Sequence, residues 1–283
     1  KFMPLFCQNQ VLVINFTFVT DQNLFMSFIL SEQKQNVLIL TLNRAEKFNS
    51  FNREMALQLI SELNKAEKNE NIRAIVITGE GKAFCAGQDL SEALDPNGPG
   101  IKKIVEEHYN PIILLIRNIE KPVIAVVNGV AAGAGANIAL ACDIVYAAKS
   151  ANFIQAFSKI GLIPDSGGTY TLPRLVGLNL ASALMITGDK LSAEDAKNFG
   201  IVYKVFEDAE LLEKSLASAA QIATMPTKAI GLTKRLLNQS YSNNLSQQLD
   251  FEKVIQVESA DSYDYKEGVK AFLEKRKPEF KGS

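Results

Sequence analysis

The stretch Val123-Ile124-Ala125-Val126-Val127-Asn128-Gly129-Val130-Ala131-Ala132-Gly133-Ala134-Gly135-Ala136-Asn137 decides the fold class. Its first five residues are apolar and mostly β-branched, the mark of a strand covered on both faces, as in a parallel sheet packed with helices. Residues 129–135 are then so small that backbone can approach backbone, and residues 136–141 read as helix. Amides at a helix start lack intrahelical acceptors and feel the positive end of the helix dipole, so they favour a developing negative charge. The same small residues would equally serve close packing with no chemistry.

Working outward, Val37–Leu42 and residues 72–78 and 143–148 read as further buried strands, and residues 53–67 and 101–119 as helices. Parallel strands require crossovers, so the alternation predicts an α/β fold with a largely parallel sheet. Beyond about residue 178 helical periods dominate, with starts at Ser192 and near Pro226 and a final helix over residues 262–277. The division expected is an N-terminal extension over 1–25, an α/β core over 26–200 and a C-terminal helical region over 201–283. The last packs on the core or on another subunit. No internal repeat is visible.

The chain has 283 residues, 47% of them apolar, enough for a sizeable core. Its 30 basic and 31 acidic side chains nearly cancel, and no long like-charged run occurs, which argues against nucleic acid or an acidic membrane surface as partner. No stretch approaches the ~20 apolar residues of a membrane span, and residues 1–25 are too interrupted by polar groups for a signal peptide. Cys7, Cys85 and Cys142 are too few and too scattered for a disulfide framework or a zinc site, so a reducing, cytoplasmic setting and no metal are expected. The single histidine, His108, lies in a helical pattern and reads as a packing or surface residue.

Two more segments can carry chemistry. Phe84-Cys85-Ala86-Gly87-Gln88-Asp89-Leu90 follows a strand at its carboxyl end, where α/β proteins gather ligands, and could offer a second amide donor to one oxygen. Asp89 there reads first as a helix cap. Ile163-Pro164-Asp165-Ser166-Gly167-Gly168-Thr169 sets one carboxylate on a small-residue turn. Asp165 either faces a substrate or caps the helix that follows. Residues 95–100 form a connection that reads as a surface turn or a lid.

Asn43-Arg44 with Lys47 and Asn49-Ser50, the Phe84 to Leu90 run, Lys121-Pro122-Val123-Ile124-Ala125-Val126-Val127-Asn128-Gly129, Cys142-Asp143-Ile144 and Glu267-Gly268-Val269-Lys270-Ala271-Phe272 together resemble the enoyl-CoA hydratase/isomerase, or crotonase, family, from about Phe28 to the C-terminus. The resemblance implies a spiral of strand-strand-helix units, a C-terminal helical region that builds trimers or dimers of trimers, and an acyl-CoA thioester as substrate. A complex with another enzyme of the family is also consistent with it. CoA arrives as part of the substrate, and no separate cofactor is implied. Carried over by position, the thioester oxygen is held by the backbone amides of Gln88 and Ala134. Arg44, Lys47, Ala86, Asp89 and Lys275 are the implied CoA contacts, with the choice among the C-terminal lysines left open.

The departures from the family matter as much. Hydratases of the family use two glutamates, and those positions here hold Asn137 and Phe157, which line the expected substrate pocket but cannot exchange a proton. Asp165 matches the position where isomerase branches carry an aspartate. The resemblance therefore implies an isomerase that moves a proton or double bond beside a thioester, either rearranging an aromatic ring epoxide or shifting a 3-enoyl to a 2-enoyl group. A single-carboxylate hydratase and a noncatalytic CoA-binding subunit are the alternatives.

Overall fold

The computed structural model describes residues 27–283, so the expectation for residues 1–25 and Cys7 lie outside the described residues. β1 (Ile29–Lys34) and β2 (Val37–Leu42) form an antiparallel hairpin in register from Ile29 opposite Leu42 to Lys34 opposite Val37. β2 then pairs in parallel with β3 (Ala74–Gly79), and the sheet continues in parallel through β5 (Val123–Val127) and β7 (Ile144–Ala148) to β10 (Lys204–Phe206). All five residues of β5 are buried, which accounts for its unbroken apolar run. Helix α1 (Arg53–Lys68) crosses between β2 and β3; Asn52 caps it by accepting from Met55 N, and Met55, Leu59 and Leu63, four apart, form its buried stripe.

A second sheet has the order β4 (Ala83–Cys85), β6 (Val130–Ala132), β8 (Asn152–Ile154) and β9 (Lys190–Ser192), the first three parallel and β9 antiparallel. The chain thus gives one strand to the large sheet, the next to the small one, and closes each coil with helical segments: β3–β4, β5–β6, β7–β8. This is the spiral that the resemblance implies. Because β4, β6 and β8 run in parallel, the turns at their carboxyl ends lie side by side.

Three expectations change. The helix read over 101–119 is a composite of α3 (Gly100–Lys103), a π-helical turn (Ile104–Tyr109) and α4 (Asn110–Asn118), preceded by the short α2 (Leu90–Ala93). Pro111 is the physical cause: it has no N–H to give to the carbonyl four residues back and its ring presses on it, and Asn110 N donates to Val105 O, five back. The boundary at residue 200 cuts the core, because β10 joins the large sheet and α9 (Leu211–Ile222) packs on β3, β5 and β7. After α9 come α10 (Thr227–Ser240), α11 (Leu245–Ala260) and α12 (Tyr263–Leu273), and α12 stops four residues short of 277. The remaining helices are α5 (Ala134–Ala141), α6 (Gly168–Val176), α7 (Leu178–Thr187) and α8 (Ala193–Asn198). No helix among the described residues is long and apolar enough to cross a membrane.

Candidate active site

The side-by-side turns enclose a cavity of about 190 Å³. The first turn brings Ala86, Gly87 and Gln88, the second Gly133 and Ala134, and the third Phe157 and Asp165; Tyr109 and apolar side chains of residues 90–105 make the facing wall. Gly87 lets the first two turns abut, since a Cβ there would stand 3.0 Å from Ala132 O and 3.5 Å from Ala134 N. Among the described residues, neither Gln88 N–H nor Ala134 N–H donates a hydrogen bond. Ala134 is the first residue of α5, so its amide has no intrahelical acceptor and lies at the positive end of the helix. A developing oxyanion is what such a pair accommodates.

Among the described residues, Asp165 is the one carboxylate on the cavity wall. It does not cap α6: Gly167, in a left-handed conformation, occupies that position, and no side chain caps the helix. The half-buried carboxylate accepts at Oδ1 from Ser166 Oγ at 2.8 Å. Burial pushes its pKa above the ordinary value, opposed by that hydrogen bond. Ser166 is held at a φ of 52°, a left-handed conformation uncommon outside glycine, which turns the chain sharply just beyond the carboxylate.

Asn137 is not part of the cavity wall. It is 1% exposed; its Nδ2 donates to Asp165 O at 2.8 Å and its Oδ1 accepts from Gln155 Nε2 at 2.8 Å. Its place in α5 makes it a clamp on the backbone that carries Asp165 rather than a pocket residue. Phe157, by contrast, lines the cavity and is nearly buried.

The residues read as CoA contacts separate in the same way. Arg44 donates to Asp89 Oδ2 at 2.9 Å and to Ser50 O at 2.6 Å, with the pair almost fully buried. Asp89 Oδ1 accepts from Ser91 N and caps α2, and burial, which alone would raise its carboxyl, is outweighed by these partners so that its pKa is lowered. Both charges are committed to partners inside the protein, and neither residue lines the cavity. Ala86 lies on the cavity wall, and its N–H donates to Phe48 O, which sets the exposed Lys47 beside the same turn. Lys275 is exposed beyond α12 and is not among the residues lining the cavity. His108 is a packing residue, fully buried with Nε2 at 3.2 Å from Arg53 Nη1.

Tyr109 is the wall residue that sequence reasoning passed over. Its ring is fully buried, edge-on to Phe51 at 6.0 Å, and its hydroxyl donates to Gln88 Oε1 at 2.8 Å. A phenol beside a lone histidine in a helical pattern carries no signal of its own; Pro111 two residues on was the available hint that the helix changes register there.

The family model for enoyl-CoA hydratase/isomerase matches residues 32–283. The chain belongs to that family. It is 48% identical to the 1,2-epoxyphenylacetyl-CoA isomerase of Escherichia coli (strain K12) over 260 residues, covering 91% of this chain and 99% of that one. It is 42% identical to a probable enoyl-CoA hydratase of Rhodobacter capsulatus, covering 89% and 96%. Among solved structures, an enoyl-CoA hydratase from Polaromonas sp. JS666 is 39% identical and superposes with a TM-score of 0.83, covering 89% of this chain and 99% of that one. Family membership makes this a crotonase-fold protein of CoA thioester chemistry.

Proposed function

We propose that this family member is an isomerase whose single carboxylate, Asp165, takes a proton from the carbon beside a CoA thioester. The observation that carries the reading is the composition of the cavity wall, which joins one carboxylate and two unpartnered backbone amides in a mostly apolar enclosure. When the proton leaves, negative charge moves onto the thioester oxygen, and the amides of Gln88 and Ala134 stabilise it more in the transition state than in the ground state. The carboxylic acid then returns the proton to a different carbon, or the activated acyl group rearranges. Substrate and product share one formula, so one group that accepts and then donates is enough. The 48% identity to the epoxyphenylacetyl-CoA isomerase favours a ring-1,2-epoxyphenylacetyl-CoA to oxepin-CoA rearrangement, with 3-enoyl to 2-enoyl-CoA shift as a related activity.

Ala86 on the cavity wall and the exposed Lys47, next to the Phe48 whose carbonyl Ala86 holds, are the CoA contacts this reading keeps, with Lys275 as a candidate to reach a neighbouring subunit. Self-association into trimers or dimers of trimers through the C-terminal helices belongs to the same proposal. Phe272 is 82% exposed and Leu273 74%, beside an apolar recess of about 400 Å³ lined by Val269 and Phe280 among others.

The test is exchange of the α proton of an acyl-CoA with deuterated water. Asp165→Asn should lower the exchange rate by about 10²- to 10⁴-fold while thioester binding is retained. Incorporation of labelled solvent oxygen into the product would mark a hydratase instead. Binding without exchange in the wild type would mark a noncatalytic CoA-binding subunit.

A further inference from the structure

We infer that Tyr109 is a positioning residue for thioester polarisation, holding the Gln88 side chain and so stiffening the turn that carries the unpartnered Gln88 N–H. The inference rests on the reading of Gln88 as an oxyanion donor and deepens it. The Gln88 side chain is held at both ends. Its Oε1 accepts from the Tyr109 hydroxyl at 2.8 Å, and its Nε2 donates to Glu92 Oε2 at 2.9 Å. The Glu92 carboxylate accepts in turn from Arg53 N at 2.8 and 3.1 Å, the first amide of α1. The peptide units on either side of Gln88 are pinned separately, by Phe51 N donating to Gly87 O at 2.7 Å and Asp89 N donating to Phe51 O at 2.8 Å. The Gln88 N–H shares one planar peptide unit with the Gly87 carbonyl that Phe51 N holds, so that contact aims it, and the side-chain bridge restrains the Cα that joins this unit to the next.

The hydroxyl rather than the ring carries this role. A phenylalanine would keep the edge-on contact with Phe51 and fill the same volume, so packing alone does not call for the oxygen. Burial, then the neighbouring Cys85, Asp165 and Glu92, hold the phenol pKa well above its ordinary value, so it stays a donor across the working pH range. Tyr109 also ends the π-helical turn whose Ile104 and Val105 face the cavity.

The experiment binds ¹³C-carbonyl-labelled phenylacetyl-CoA to the full-length protein and reads the thioester carbonyl stretch by infrared difference, alongside kcat and KM for α-proton exchange. The wild type should show a carbonyl frequency lowered from that of free thioester. Tyr109→Phe should lose roughly half of that shift and about tenfold in kcat, with KM within about twofold, as expected when a transition-state contact is misaligned. Gln88→Met, which removes the acceptor and leaves the backbone N–H, should reproduce the loss, and the double variant should be no worse than either single one. A full wild-type shift in Tyr109→Phe, or additive losses in the double variant, overturns the role of Tyr109 alone. An unshifted carbonyl in the wild type overturns the oxyanion reading of Gln88 and Ala134 and this inference with it.

Discussion

At the residue scale the proposed chemistry depends on how Asp165 is kept. Its raised pKa means that the folded protein holds the proton to higher pH than the unfolded chain does. The stability this confers is present below the unfolded value and falls as pH rises through the folded one. Asp165→Asn should therefore raise the melting temperature at neutral pH and leave it unchanged at a pH below both values, in paired thermal scans. The wild-type kcat/KM for proton exchange should rise with pH through that elevated pKa, since the base must be ionised to act. A melting temperature lowered at neutral pH by the asparagine would contradict a carboxylate held against its preference for water. Asp165 was visible in the sequence because proline before it and glycines after it isolate one acid on a turn. The clamp by Asn137 was not, because its partner is a backbone carbonyl 28 positions away and no side-chain pattern encodes it.

At the element scale the site depends on α5 docking end-on against β4. Gly135 makes this approach, and a Cβ there would lie 2.3 Å from Cys85 O and 2.6 Å from Cys85 Sγ. Gly135→Ala should cost about 1–3 kcal/mol by denaturant titration, the range for overfilling a packed interior. It should also lower exchange activity, by forcing apart the turns that bear Gln88 and Ala134. An alanine variant of wild-type stability and rate would show that the two elements do not need this contact. The long strands β2, β3, β5 and β7 and helix α1 were legible because periodicity or an apolar run extends over five residues or more. β4, β6, β8, β9 and β10 have three residues each, too few to show a period, so the small sheet stayed hidden although its end turns were read as functional segments.

For the whole molecule, the spiral was legible only through family resemblance. Its large-sheet strands β3, β5 and β7 begin at residues 74, 123 and 144, an uneven spacing that leaves no sequence period to detect. The C-terminal boundary was misplaced for a related reason: α9 has the composition of the helices after it, and only its packing on β3, β5 and β7 assigns it to the core. Beyond α9, the exposed Phe272 and Leu273 give the association proposal its test. Sedimentation of the wild type should report three or six times the chain mass, and Phe272→Glu should shift it towards the single chain by placing a charge in an apolar contact. A wild type that sediments as one chain at micromolar concentration would refute it.

Stacking β4 beside β6 has a metric consequence. Neighbouring strands stand about 4.8 Å apart, and two nitrogens each about 2.9 Å from a shared oxygen, approaching at a tetrahedral angle, are separated by nearly that distance. In the proposed mechanism the two amides sit on turns that leave these adjacent strands, so the ladder repeat offers an acyl oxygen a spacing of the right order.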